Sequence, residues 1–154
     1  YGRNALVIGM SQQEKDSTST LLVADLLLWE GSAWTSQRQF KSSVKECEFD
    51  TSAQVHLGDW SVTDLDGNGI GEATWAWSFG CRSDVSPVDH KVFMASSGTS
   101  EVNKYVLRGT TAMEMGGAIE NKDAFKEADE FGSAPAGFLD HAKKVWSETS
   151  VETF

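Results

Sequence analysis

Residues 73–79, ATWAWSF, alternate without a break. Ala73, Trp75, Trp77 and Phe79 fall on one face of an extended chain, and Thr74, Ala76 and Ser78 on the other. This is a strand signature, and its neighbours repeat it. NALVIGM (4–10) and TSTLLVADLLLW (18–29) are rich in apolar and β-branched residues and are separated by the polar turn SQQEKDS. WEGSAW reads as a hairpin connection into WTSQRQFKSSV (34–44). QVHLGDWSVTD (54–64) is broken by Gly58 and Asp59. HKVFMAS and NKYVLRG form a further pair joined by SGTSEV.

The signal then changes period. KDAFKEADEF (122–131) predicts a short helix. Ser133 is placed to cap a second helix with Pro135 in its first turn. Phe138, Ala142, Val145 and Trp146 would form its apolar stripe. The expected fold class is α+β: a mostly antiparallel β-sheet, an Asp-rich loop of calcium type between two strands, and C-terminal helices. The 154 residues, 40% of them hydrophobic, fit a single domain over 1–154 with a core of its own.

The loop DLDGNGIGE (64–72) sets a ligand-bearing residue at every second position. Asp64, Asp66 and Asn68 stand at positions 1, 3 and 5, the Ile70 carbonyl at 7 and Glu72 at 9. Gly69 falls where an EF-hand turns sharply around its ion. Trp75 occupies the place of the bidentate glutamate, however, and the flanks are strands. The segment resembles the strand-to-strand calcium loops in the blades of integrin-type propellers. A single copy implies no propeller. Crowded carboxylates repel one another, which favours a structural Ca2+ with a Kd of roughly 10⁻⁴ to 10⁻³ M. The alternative is a metal-free Asx turn.

Other chemistry is sparse. His56, His90 and His141 lie in no zinc spacing. No nucleophile elbow or phosphate-cradling glycine loop occurs, so no catalytic residue is assigned and the chain is read as a non-enzyme. Trp75 and Trp77 could stack on sugar, but core packing is the simpler role. Trp29, Trp34, Trp60 and Trp146 are read the same way. Arg82, Ser83, Asp84 and Ser86, in the polar loop CRSDVSPVD, form either a partner-binding surface or a self-bonded turn.

The formal net charge of −10 disfavours nucleic acid and anionic membranes and suits a basic protein partner or cations. No stretch approaches the roughly 18 apolar residues of a membrane span. The chain opens with Tyr1 and shows no signal peptide, which reads as a processed or trimmed form.

VKECEFD, VTDLDGNGIGEATWAW, CRSDVSPVDHKVFM, KYVLRGTT and FLDHAKKVW occur in that order. Over residues 44 to 146 the chain resembles small bacterial proteins loosely labelled as surface polysaccharide biosynthesis proteins. The resemblance implies an exported, periplasmic or envelope setting, and no reaction. In such a setting thiols oxidise, so a disulfide between Cys47 and Cys81 is expected; two buried free cysteines are the alternative. The leading functional expectation is a non-catalytic envelope domain that binds a protein, for example an immunity or inhibitor protein for a secreted toxin or hydrolase. The other is an accessory glycan-binding protein of surface polysaccharide assembly.

Overall fold

A computed structural model describes residues 3–12, 19–97, 101–126 and 129–154. Among the described residues, eleven strands and one α-helix form three layers. Strands β1 (Asn4–Gln12), β2 (Thr20–Trp29) and β3 (Trp34–Val44) make an antiparallel sheet in the order β1-β2-β3. Strands β4 (Asp50–Thr63), β5 (Glu72–Arg82), β6 (Asp89–Ser97), β7 (Val102–Thr110) and β10 (Phe125–Lys126) make the central sheet, ordered β10-β7-β6-β5-β4. Strands β8 (Ala112–Met115), β9 (Ala118–Glu120) and β11 (Val151–Thr153) form a small third sheet, in which β11 runs parallel to β8. Helix α1 spans Phe138–Thr149.

The alternation of ATWAWSF decides the layering. Trp75, Trp77 and Phe79 point at the three-stranded sheet and pack with Leu22, Leu26, Phe40 and Phe93. Trp75 stacks on Phe93 with ring centroids 5.2 Å apart. Ala76 points the other way and joins Val92, Met94 and Leu107 under the apolar stripe of α1, Phe138, Ala142, Val145 and Trp146. The central sheet is thus covered on both faces, which is why β5 is buried from Glu72 to Phe79. Trp75, Trp77 and Trp146 are core residues, so no sugar platform stands on β5.

Several expectations are corrected. Trp34 and Trp60 are exposed and not in the core, at 46% and 57%. Trp34 lies beside the β2–β3 turn, and Trp60 lies on the edge strand β4. Gly58 and Asp59 do not end the strand. They sit in a bulge, where the five-residue step from His56 to Ser61 is matched by the two-residue step from Ala76 to Thr74.

The segment 122–131 is not a helix. Phe125 and Lys126 pair with Gly109 and Arg108, and a 3-10 turn follows at Asp129–Ser133. Glu127 and Ala128 lie outside the described residues. Asn121 and Asp123 take left-handed backbone angles, which a helix cannot continue through. Gly109 permits the pairing, because a Cβ there would run into the Ala124 carbonyl.

Ser133 does not cap α1. Its hydroxyl bonds the Glu130 carbonyl, and Gly137, left-handed at φ 88°, precedes the first helical residue. No helix among the described residues is long and apolar enough to cross a membrane.

Candidate metal centre

Strands β4 and β5 pair from Asp50↔Arg82 to Thr63↔Glu72, and residues 64–71 connect them. The connection turns on two left-handed glycines, Gly67 (φ 70°) and Gly69 (φ 80°). Its acids and amides hold the backbone. Asp66 Oδ1 accepts from the Asn68 amide at 3.1 Å, and Asn68 Oδ1 from the Ile70 amide at 2.7 Å. Asp64 Oδ2 accepts from the Gly69 amide at 3.0 Å. The bonds of Asp66 and Asn68 are two Asx turns in series, and that of Asp64 closes the loop across them.

The same folding gathers three carboxylates. Oxygens of Asp64, Asp66 and Glu72 lie within 4.8 Å of one another, a group that could hold a metal ion. Asp64 and Asp66 are exposed, whereas Glu72 is completely buried. Glu72 Oε2 accepts from the Leu65 amide at 2.8 Å. Its other oxygen, Oε1, is buried with no hydrogen-bond partner among the described residues. Burial raises the Glu72 pKa above the usual carboxylate range, and the charges of Asp66 and Asp64 push the same way. The Leu65 amide opposes them.

Three of the five expected ligands therefore meet through their carboxylates. Asn68 and Ile70 belong to the loop through hydrogen bonds, with Asn68 Nδ2 donating to Asp66 Oδ2 at 2.9 Å. Leu65 packs toward the α1 side of the core and anchors the loop there. Tyr105 on β7 lies close enough that Asp66 and Glu72 add to the burial that raises its phenol pKa.

The opposite end of the β4–β5 ribbon carries a disulfide. Cys47 and Cys81 are joined with Cα atoms 5.5 Å apart. Arg82 follows, and its guanidinium turns inward. It donates to the Ser86 carbonyl at 2.8 Å, to Ser52 Oγ at 3.4 Å and to Glu152 Oε2 at 2.8 Å, and lies over the Phe154 ring. Arg82 thus binds its own loop to the C-terminal strand. Ser83 and Asp84 are exposed, and Ser86 is half-buried.

A polar row that no motif announced runs beneath α1. His56 Nε2 lies 2.9 Å from Ser78 Oγ, which lies 2.8 Å from His90 Nδ1. His90 Nε2 lies 3.0 Å from Thr149 Oγ1, which donates to the Val145 carbonyl at 2.7 Å. With His90 neutral, as its burial favours, that last bond fixes every proton. The Thr149 oxygen must accept from His90 Nε2–H, His90 Nδ1 must accept from Ser78, and Ser78 must accept from His56 Nε2–H. Ser78 and His90 are buried, and the Ser78 proton is committed to His90. The row takes His56 from β4, Ser78 from β5, His90 from β6 and Thr149 from α1, so only the sheet register could have announced it.

No protein-family model matches the chain, and no curated protein or solved structure matches it either.

Proposed function

We propose that this protein is a calcium-stabilised, exported domain that acts by binding another protein. The calcium reading rests chiefly on Glu72 Oε1. A buried, unpaired carboxylate oxygen beside two further carboxylates is costly without a cation and well suited with one. Asp64, Asp66 and Glu72 would hold the ion, with Asn68 and the Ile70 carbonyl as the remaining oxygens of the alternating loop. Its role is structural: it fixes the turn between β4 and β5.

Leu57, Trp60 and Val62, all exposed on β4 just before the loop, support the binding reading. β4 is the edge of the central sheet. An exposed tryptophan flanked by aliphatic side chains on an open edge is the kind of anchor that protein interfaces use. The exposed Ser83 and Asp84 offer directional contacts at the far end of the same ribbon, and a net charge of −10 favours rapid encounter with a basic partner. An immunity or inhibitor protein for a secreted toxin or hydrolase is one concrete form of this activity. The Cys47–Cys81 disulfide fits an oxidising, periplasmic or envelope location.

The test is capture of partners from an envelope fraction by the full chain, in calcium and in chelator, beside Trp60→Ala. Saturable recovery of one partner, weakened by Trp60→Ala, supports the reading. Turnover of a glycan or peptide by the purified protein, abolished by changing one carboxylate, overturns it.

A further inference from the structure

A protein with ten more negative than positive charges nevertheless gathers its cations in one place. β3, an edge strand of the first sheet, lies beside β6 and β7 of the central sheet. Two adjoining cavities of about 170 and 480 Å³ lie there and share Lys91 and Arg108. Six of the 13 Lys and Arg residues line them: Arg38, Lys41, Lys91, Lys104, Arg108 and Lys126.

The register makes this costly. Lys91 on β6 pairs directly with Arg108 on β7, which pairs directly with Lys126 on β10. Directly paired residues share a face, so three positive side chains stand side by side at about 4.8 Å spacing. Like charges placed so destabilise a sheet. Lys104 adds a fourth on the same face of β7, about 13 Å from Arg108 along the strand. Among the described residues one carboxylate is within ion-pair reach of any of the six, Glu130, at 3.8 Å from Arg108. Lys91 and Arg38 bond neutral oxygens, the Ser42 hydroxyl and the Val102 carbonyl.

The lining also restricts the ligand. Nucleobases need free aromatic faces, and the smaller cavity offers none: Phe40 and Phe93 are buried, with Arg38 over the Phe40 ring, while the Phe125 ring turns to Trp146 on the α1 side. In the smaller cavity Phe93 and Val106 are buried, so no open apolar hole there receives the anchoring side chain of a peptide. Asp89 adds hydroxyl-binding oxygens among the cations. A chain bearing both repeated carboxylates and hydroxyls satisfies all of this.

We propose that the cleft between β3 and β6–β7 binds an acidic oligosaccharide, its cations taking the carboxylates and Asp89 the hydroxyls. The site is separate from the calcium loop and the β4 edge, and independent of their roles.

The test is calorimetric titration of the full chain at low salt, in chelator so that calcium plays no part. The probes are hexagalacturonate, monomeric galacturonate, maltohexaose, tripolyphosphate and a hexaglutamate peptide. Hexagalacturonate should bind about tenfold more tightly than each of the others. Lys104→Glu and Lys126→Glu should each weaken it about tenfold, and added salt should weaken it further. Lys144→Glu makes the same charge change on α1, across the sheet, and should leave binding within about twofold. Lys104→Gln serves if the charge reversal impairs folding. Equal binding of tripolyphosphate makes the cleft a general anion site, and tighter binding of hexaglutamate makes it a peptide site. Either result overturns the proposal, as does absence of saturation by hexagalacturonate or an equal loss in Lys144→Glu.

Discussion

The Ser78 hydroxyl gives its proton to Nδ1 of His90 across 2.8 Å, and both side chains are buried. That bond requires a neutral His90. Burial, reinforced by His56, pushes its pKa down to about 3. A proton on Nδ1 would reverse the Ser78 hydroxyl and set it against the His56 N–H. The unfolded chain takes up that proton near pH 6.5, so stability is complete above that value and falls as pH drops toward 3. The expected loss is about 1.4 kcal/mol per pH unit from this residue. His56 and His141, both lowered by burial, act in the same direction. Urea unfolding from pH 7 to pH 5 should show this slope, and His90→Gln should flatten it whatever its cost in absolute stability. An unchanged slope in the variant would assign the acid sensitivity elsewhere.

Calcium at 10 mM should stabilise the wild type by about 1.4 to 2.7 kcal/mol if its Kd lies at roughly 10⁻³ to 10⁻⁴ M. Asp66→Ala should abolish that increment. Glu72→Gln should abolish it too, while raising the melting temperature in chelator, since it removes a buried charge whose pKa is raised by burial and by two neighbouring acids. Differential scanning calorimetry in calcium and in chelator reads both effects. Identical melting of the wild type in the two buffers would leave the loop as a metal-free turn.

Trp75 and Trp60 should respond in opposite ways to truncation. Trp75 has no exposed surface and touches Phe40, Phe93 and Trp77, so Trp75→Ala should cost about 3–5 kcal/mol. Trp60 is 57% exposed, and Trp60→Ala should stay within about 0.5 kcal/mol. Equilibrium unfolding in urea separates them. A large loss for Trp60→Ala would mean that the edge of β4 is covered in the isolated protein.

Arg82 and Glu152 are 70 residues apart in sequence and bonded at 2.8 Å, each less than one-fifth exposed. Arg82→Ala should cost about 1.5–3 kcal/mol, the range for hydrogen bonds to charged groups. It should also speed amide exchange in β11. Asp84→Ala, at an exposed position, should do neither. A partner contact made by this loop is accordingly better tested at Ser83 and Asp84. Equal exchange in the two variants would remove the tie between Arg82 and the C-terminal strand.

The sequence made most of the central sheet legible, because alternation at 73–79 and β-branched runs report burial directly. It also located the acidic loop, since acids and amides at every second position with glycines between them are local facts. What stayed hidden depends on pairing between distant segments. Three residues at the C-terminus become a strand only because β8 lies beside them. Phe125 became a strand because Gly109 leaves room for it, and nothing in 122–131 encodes that. The exposure of Trp34 and Trp60 follows from their positions at a turn and an edge, which a hydrophobicity pattern does not mark. The basic cleft draws its cations from β3, β6, β7 and β10, and only the strand registers bring them together.

The β4–β5 ribbon is tied at one end by Cys47–Cys81 and closed at the other by the acidic turn. Between them β4 carries three residues more than β5 has partners for. In a free hairpin such surplus can creep outward, one pairing at a time, until it leaves through an open end. Here neither end is open, so the excess is trapped like a ripple in a ribbon held at both ends. Leu57 and Trp60 are kept in the bulge because the strand cannot slide to take them in.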